Sequence, residues 1–234
     1  MTQKICVVTG VGPGIGKACC EFYASKGYHI VMMARQKDYL EAVASELNGS
    51  ATVMPLDVTD EQAVKQAFAS IMADYGQIDI LIYNAARGCF GSFLEVDPKE
   101  LELNFAINTM GLLYCARAVA PSMIERGAGS IMVTGNTAAT RGGAKFAAFA
   151  PSKGAARLLT QSMAKELGPQ QVHVSYLIID AAVDGPFARN LCPDEEDDFF
   201  IQPAAIAESI WYLDQQPSNC WTFELDLRPH RESW

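Results

Sequence analysis

The chain is poor in what a membrane, a nucleic acid or a structural metal would require. Nowhere in its 234 residues does an uninterrupted apolar run approach the roughly 20 residues of a membrane helix, so no membrane partner is expected. Basic residues are outnumbered, 18 Lys and Arg against 27 Asp and Glu, for a net charge of −9. Surfaces that bind nucleic acid are normally basic, so no nucleic-acid partner is expected either. No Cys-x-x-Cys pair occurs. The 7 cysteines (Cys6, Cys19, Cys20, Cys89, Cys115, Cys192 and Cys220) are odd in number and scattered, which indicates neither a zinc site nor a disulfide framework. Reduced, mostly buried thiols are expected, and no metal. Repeats, linkers and low-complexity tracts are absent. Met1, Thr2, Gln3 and Lys4 run directly into a strand-like segment without the pattern of a signal peptide, and a cytoplasmic location is expected.

What is present is apolar and regular. Half of the residues are hydrophobic, enough for one extended core, and the expectation is a single domain over 1–234. Strand-like runs cover Ile5–Thr9, His29–Ala34, Ala51–Leu56, Ile78–Tyr83, Ser130–Thr134, Val172–Ile179 and Thr222–Leu227. Helical spacing falls between them: about Gly14 to Lys26, through Leu40, Val43 and Leu47, up to Tyr75, from Pro98 to about Arg126, Pro151–Leu167 and Ala204–Leu213. Thr59 reads as the N-cap of the helix reaching Tyr75, with Asp60 and Glu61 in its first turn. Continuous apolar strands alternating with helices predict an α/β fold: a Rossmann-type, doubly wound, mostly parallel sheet with helices on both faces.

The first strand leads into Thr9-Gly10-Val11-Gly12-Pro13-Gly14-Ile15-Gly16. Glycines there permit positive φ and a close backbone approach to a pyrophosphate. The helix that follows offers free amides and the positive end of its dipole. This strand–turn–helix context points to a dinucleotide.

In its T-G-x-x-x-G-x-G spacing this turn resembles the short-chain dehydrogenase/reductase family, and the resemblance runs along nearly the whole chain. Gly10, Gly14 and Gly16 take the family's glycine positions. Asp57-Val58 matches the acidic residue that in relatives bonds adenine. Asn84-Ala85-Ala86 resembles the family's Asn-Ala-Gly, and Asn108 the asparagine that organises a water-linked proton relay. The resemblance implies a nicotinamide dinucleotide held by Thr9, Gly10, Gly12, Gly14, Ile15, Gly16, Arg35, Asp57, Val58, Asn84, Ala85, Ala86 and Lys153. Arg35 ends the second strand where the adenosine ribose would lie; a guanidinium suits a 2′-phosphate, which favours NADP(H) over NAD(H). Asp38, three residues on, could still serve a ribose.

The family's active site pairs a serine with Tyr-x-x-x-Lys. Here the lysine is Lys153, Phe149 stands in the tyrosine's place, and Asn136 stands thirteen residues before it where the serine is expected. Phenylalanine exchanges no proton. The candidate catalytic set is therefore Asn108, Asn136 and Lys153, with the Asn136 amide offered to a carbonyl oxygen and Lys153 as a substitute proton donor. Thr134, Thr137, Lys145, Ser152, Asp180 and Asp184 are further polar residues near the expected cleft, each read as structural.

Residues 186–203 correspond to the family's substrate lid and carry Phe187, Leu191, Phe199 and Phe200 beside the acidic Asp194, Glu195, Glu196, Asp197 and Asp198, a run read as a solvated loop. The segment 221–234 resembles the edge strand and tail through which relatives form dimers and tetramers. Two readings stay open. One is an atypical oxidoreductase acting on an unknown small-molecule carbonyl or alcohol. The other is a catalytically inactive cofactor-binding sensor or regulatory subunit.

Overall fold

Seven strands form one sheet in the order β3-β2-β1-β4-β5-β6-β7 in the computed structural model, which describes residues 3–232. Met1 and Thr2, read for a signal peptide, and Ser233 and Trp234 of the expected tail lie outside the described residues. The strands are β1 (Ile5–Thr9), β2 (His29–Ala34), β3 (Ala51–Pro55), β4 (Ile80–Tyr83), β5 (Gly129–Asn136), β6 (Val172–Ile179) and β7 (Glu224–Leu227). Every pairing is parallel, so the sheet is parallel throughout rather than mostly.

The apolar character of the strands has a direct packing cause. Ile5, Val7, Ile131 and Val133 point into one core layer and Cys6, Val8 and Met132 into the other, so a one-residue slip would exchange the two faces. One layer is covered by α3 (Glu61–Tyr75), α5 (Leu112–Arg126) and α6 (Ala150–Leu167), through residues such as Phe68, Val119 and Ala156. The other lies under α1 (Ile15–Ser25), α2 (Lys37–Glu46) and α8 (Pro203–Asp214), through Tyr23, Leu40 and Ile210. Helices therefore stand on both faces, as expected. The strand order reverses between β1 and β4, and the crevice beyond their carboxyl ends is the ligand position that open α/β sheets provide.

Several boundaries differ from the sequence reading. The N-cap of α3 is Asp60, not Thr59: the Asp60 carboxylate accepts from the Ala63 amide at 2.9 Å. Thr59 is instead drawn back to Asp57, whose Oδ1 accepts from the Thr59 amide and hydroxyl. Strand β4 starts at Ile80 because Asp79 turns its carboxylate onto the Ile5 amide, 2.7 Å away. Strand β7 starts at Glu224 because the Thr222 amide is taken by the Gln216 side chain at 2.7 Å. The helical stretch from Pro98 is three pieces in sequence: α4 (Pro98–Phe105), a π-helical turn (Ala106–Gly111) and α5. The π turn packs closely on the sheet, since a Cβ on Gly111 would come within 2.5 Å of the Tyr83 hydroxyl.

Candidate functional site

The cleft at the reversal point is assembled from its backbone outward. Gly10 has φ of +72°, and a Cβ there would lie 2.5 Å from the Ala85 backbone; only glycine fits. A Cβ on Gly16 would meet the Gly10 carbonyl oxygen at 2.6 Å, which brings α1 tightly against the turn. Gly12 and Gly14 are different, for a Cβ on either meets nothing within 4 Å. Two of the four glycines are thus required by packing, and two leave open space in front of the turn. Ile15 and Gly16 open α1, so their amides have no intrahelical acceptor. Unpaired amides, a helix dipole and open space together fit a pyrophosphate.

Asn84 braces this turn. Its side-chain nitrogen donates to the Gly10 carbonyl at 2.9 Å, and its side-chain oxygen accepts from the Thr134 hydroxyl at 2.9 Å. The amide of Asn84 also donates to the Thr9 carbonyl at 3.2 Å. The ends of β1, β4 and β5 are thereby tied together by one side chain. Thr134, read as structural from the sequence, has this bracing role.

The cleft has three connected lobes. The first is lined by Gly10–Pro13, Met33–Gln36, Tyr39, Leu56–Val58, Asn84–Ala86 and Ile107. It brings together Arg35, Asp57, Val58, Ala85 and Ala86 as the sequence predicted, and adds Gln36 and Tyr39, which no motif announced. Arg35 is exposed, and Asp38 lies in the first turn of α2.

The second lobe lies over Asn84, Asn136, Phe149 and Lys153. Asn136 ends β5, and its side-chain oxygen is buried without a hydrogen-bond partner. Gly135 before it carries no Cβ because Tyr176 presses to within 2.1 Å of where one would stand. Phe149 and Lys153 are both only 6 % exposed. The Lys153 amine lies 5.9 Å from the centre of the Phe149 ring, and burial alone pulls its pKa down to about 8.

These two residues are placed by Asn108, which sits in the π turn and is itself buried. Its nitrogen donates to the Arg87 carbonyl and to the Ser152 hydroxyl, both at 2.9 Å, and its oxygen accepts from the Arg87 amide at 2.9 Å. Ser152 in turn donates to the Phe149 carbonyl at 2.8 Å, and the Thr109 hydroxyl donates to the Ser152 carbonyl at 2.9 Å. A π turn often marks a functional position. Here it points an amide at the first turn of α6. Asn108 therefore contacts that turn rather than open cleft, and Ser152 is its partner.

The third lobe, about 570 Å³, is bounded by the glycine turn, Phe90, Asn136, Phe149 and residues 181–188 with Leu191 and Cys192. The expected lid is partly ordered as α7 (Pro186–Leu191) and a 3₁₀ turn at Asp197–Phe199. The acidic run is exposed, as expected, and carries surface ion pairs. Arg189 pairs with Asp184 at 2.7 Å and Asp197 at 2.8 Å, and Arg231 from the tail pairs with Glu196 and Asp198. Thr137 and Lys145 do not line any of the three lobes, and Asp180 is buried beside Arg228 at 3.4 Å. Among the described residues no cluster of His, Cys, Asp and Glu could hold a metal, and no helix is long and apolar enough to cross a membrane.

Known proteins share this architecture and sequence. An uncharacterised oxidoreductase of Staphylococcus aureus (strain MRSA252) is 28 % identical over 233 residues, 98 % of each chain. L-xylulose reductase of Mesocricetus auratus is 35 % identical over 170 residues, covering 72 % of this chain and 68 % of its own. Among solved structures, a metagenomic short-chain oxidoreductase in complex with NADP is 28 % identical with a TM-score of 0.84, each chain covered to 97 %. An alcohol dehydrogenase from the archaeon Thermococcus sibiricus, complexed with 5-hydroxy-NADP, is 26 % identical with a TM-score of 0.89, covering 99 % of this chain and 98 % of its own. The sequence profile of the short chain dehydrogenase family matches residues 4–195. That match covers most of the chain, glycine turn and Asn84 included, and this chain belongs to the short chain dehydrogenase family.

Proposed function

We propose that the protein is an NADP(H)-dependent oxidoreductase of a carbonyl/alcohol pair in which Lys153 serves as the proton donor. The observation that carries this reading is the buried Lys153 amine, facing the Phe149 ring where the family has a tyrosine. The dinucleotide would lie with its pyrophosphate on the amides of Ile15 and Gly16 and in the space before Gly12 and Gly14. Its adenosine would occupy the lobe of Asp57 and Val58. The exposed Arg35 guanidinium would meet a 2′-phosphate, and NADP-bound relatives support that choice. When bound, this cofactor supplies the hydride.

The protein's own residues do the remainder. Asn136 presents its amide to the substrate oxygen as charge develops there. Lys153, with a pKa near 8, is largely protonated at neutral pH and gives up a proton more readily than an ordinary lysine. Asn108, Ser152 and Thr109 hold the first turn of α6 so that this amine keeps its position. The exposed edge of β7 supports a homodimer or homotetramer.

A second reading is favoured by Phe149 and Asn136 themselves: with neither of the family's usual hydroxyls at those positions, the chain would bind cofactor without turnover. One experiment separates the two. NADPH oxidation is followed across a panel of aldehydes and ketones for the wild type and for Lys153→Met. Turnover that falls at least tenfold in the variant, with NADPH still bound, supports the catalytic reading. Binding without turnover on every carbonyl class supports the sensor, and undiminished turnover in Lys153→Met removes Lys153 from the chemistry.

A further inference from the structure

We propose that the third lobe selects an uncharged, ring-bearing carbonyl compound, aromatic or alicyclic, over sugars and over carboxylic acids. This inference rests on the oxidoreductase reading and names the substrate class for that same site.

Its first support is an aromatic wall. Phe90 packs edge-on against Phe146 at 5.2 Å and against Phe149 at 6.0 Å between ring centres, and Phe146 stacks on Phe149 at 6.2 Å. The wall is fixed in place because the Gly91 amide donates to the Lys145 carbonyl at 2.9 Å, joining the two loops that carry it. Yet Phe90 keeps 57 % of its surface exposed. Across the lobe, α7 presents Phe187 and Leu191, exposed by 71 % and 64 %. Large apolar side chains left uncovered on both sides of a concave site mark a surface that a ligand completes.

The second support is the scarcity of polar anchors. Of the residues lining this lobe, Asp184 alone is charged, and Arg189 and Gln202 both donate to its carboxylate. The Asn84 amide is spent on Gly10 and Thr134. That leaves Asn136, whose side-chain oxygen is buried without a donor and whose side-chain nitrogen is the donor left for a substrate oxygen. One amide suits one substrate oxygen. A polyhydroxylated sugar would bring hydroxyls that find no partner, each at a cost. A carboxylate would sit beside Asp184, the one charged residue lining the lobe, in a protein of net charge −9. Flat neutral rings meet both conditions, since aromatic faces and edges pack well on such a wall.

The test uses the whole protein and three probes, one of each class: 2-naphthaldehyde, D-xylose and pyruvate. Binding is read by saturation-transfer NMR with and without NADPH, and turnover by NADPH oxidation. Binding and turnover confined to 2-naphthaldehyde are expected, falling at least tenfold in Phe90→Ser/Phe187→Ser while NADPH affinity holds. Preference for D-xylose or pyruvate overturns the inference, as does a double variant that binds 2-naphthaldehyde like the wild type. So does a wild-type dimer, seen by light scattering, that the double variant dissolves without change in ligand binding. NADPH binding with no naphthaldehyde signal defeats this inference and leaves the parent reading standing; naphthaldehyde binding without NADPH binding does the reverse.

Discussion

The amine of Lys153 stands 5.9 Å from the centre of the Phe149 ring, buried and without an acidic partner among the described residues. Desolvation favours its neutral form. A lysine so placed is matched in pKa to proton transfer near neutral pH. The predictions below follow from that placement and from the cleft around it.

Phe149→Tyr adds one hydroxyl at the junction of the second and third lobes, which Phe149 lines together. A phenol there supplies general acid catalysis typically worth about 10²–10⁴-fold. Carbonyl reduction by this variant is expected to exceed wild type by at least about tenfold, with thermal midpoint little changed, as read by NADPH oxidation and calorimetry. A variant slower than wild type on every carbonyl would mean the ring is needed as it is.

Lys153 also predicts a pH dependence of stability. Its folded pKa, about 8, lies below the 10.5 of an exposed lysine. Between those values the unfolded chain holds the proton and the folded chain does not, so this residue makes stability rise with pH. Below pH 8 its burial penalty is fully present, at most about 3 kcal/mol by the size of the shift. Lys153→Met is therefore expected to raise the melting temperature by several degrees at pH 6.5, with the gain vanishing above about pH 10.5. A gain that is equal at both pH values would show that the lysine is not paying for its charge.

Arg35 is exposed just after β2 and lines the first lobe, where the proposed adenosine would lie. A guanidinium–phosphate contact is worth about 1.5–3 kcal/mol, so Arg35→Ala is expected to weaken NADPH binding by about 10- to 100-fold. NADH affinity should hold within about twofold, there being no 2′-phosphate to lose. Equal losses for both cofactors in fluorescence titrations would assign Arg35 no part in the choice.

The glycine turn separates folding from binding. Gly10→Ala puts a Cβ 2.5 Å from the Ala85 backbone at a positive φ, and a loss of several kcal/mol or outright misfolding is expected. Gly12→Ala meets open space, so its thermal midpoint should stay near wild type while dinucleotide affinity falls at least tenfold. Wild-type affinity in Gly12→Ala would place the pyrophosphate elsewhere.

Much of this architecture is written locally. Apolar strands such as Ile30–Met33 can only be buried on both faces, and the glycines after β1 sit where a phosphate turn needs them. The seven strands and their alternation with helices followed from those patterns together, whereas their order in the sheet did not. What stayed hidden depends on distant partners. Thr59 looked like a cap because its type favours caps, but Asp57 captures it and Asp60 takes the role. The π turn leaves no local signature, since it answers to the packing of Gly111 on Tyr83 and Val58. Phe90 belongs to the cleft only because the loop at Gly91 pairs with that at Phe146. The exposed acidic run at 194–198 takes its cations from Arg189 and Arg231, which lie outside it in sequence.

The account stands or falls on the amides and open space between Gly10 and Gly16 accepting a phosphorylated dinucleotide. Titration of the protein into NADPH and, separately, NADH, followed by nicotinamide fluorescence, measures that directly. Saturable binding of both is predicted, with NADPH at least tenfold tighter. Flat titrations with both cofactors up to millimolar concentration would contradict it.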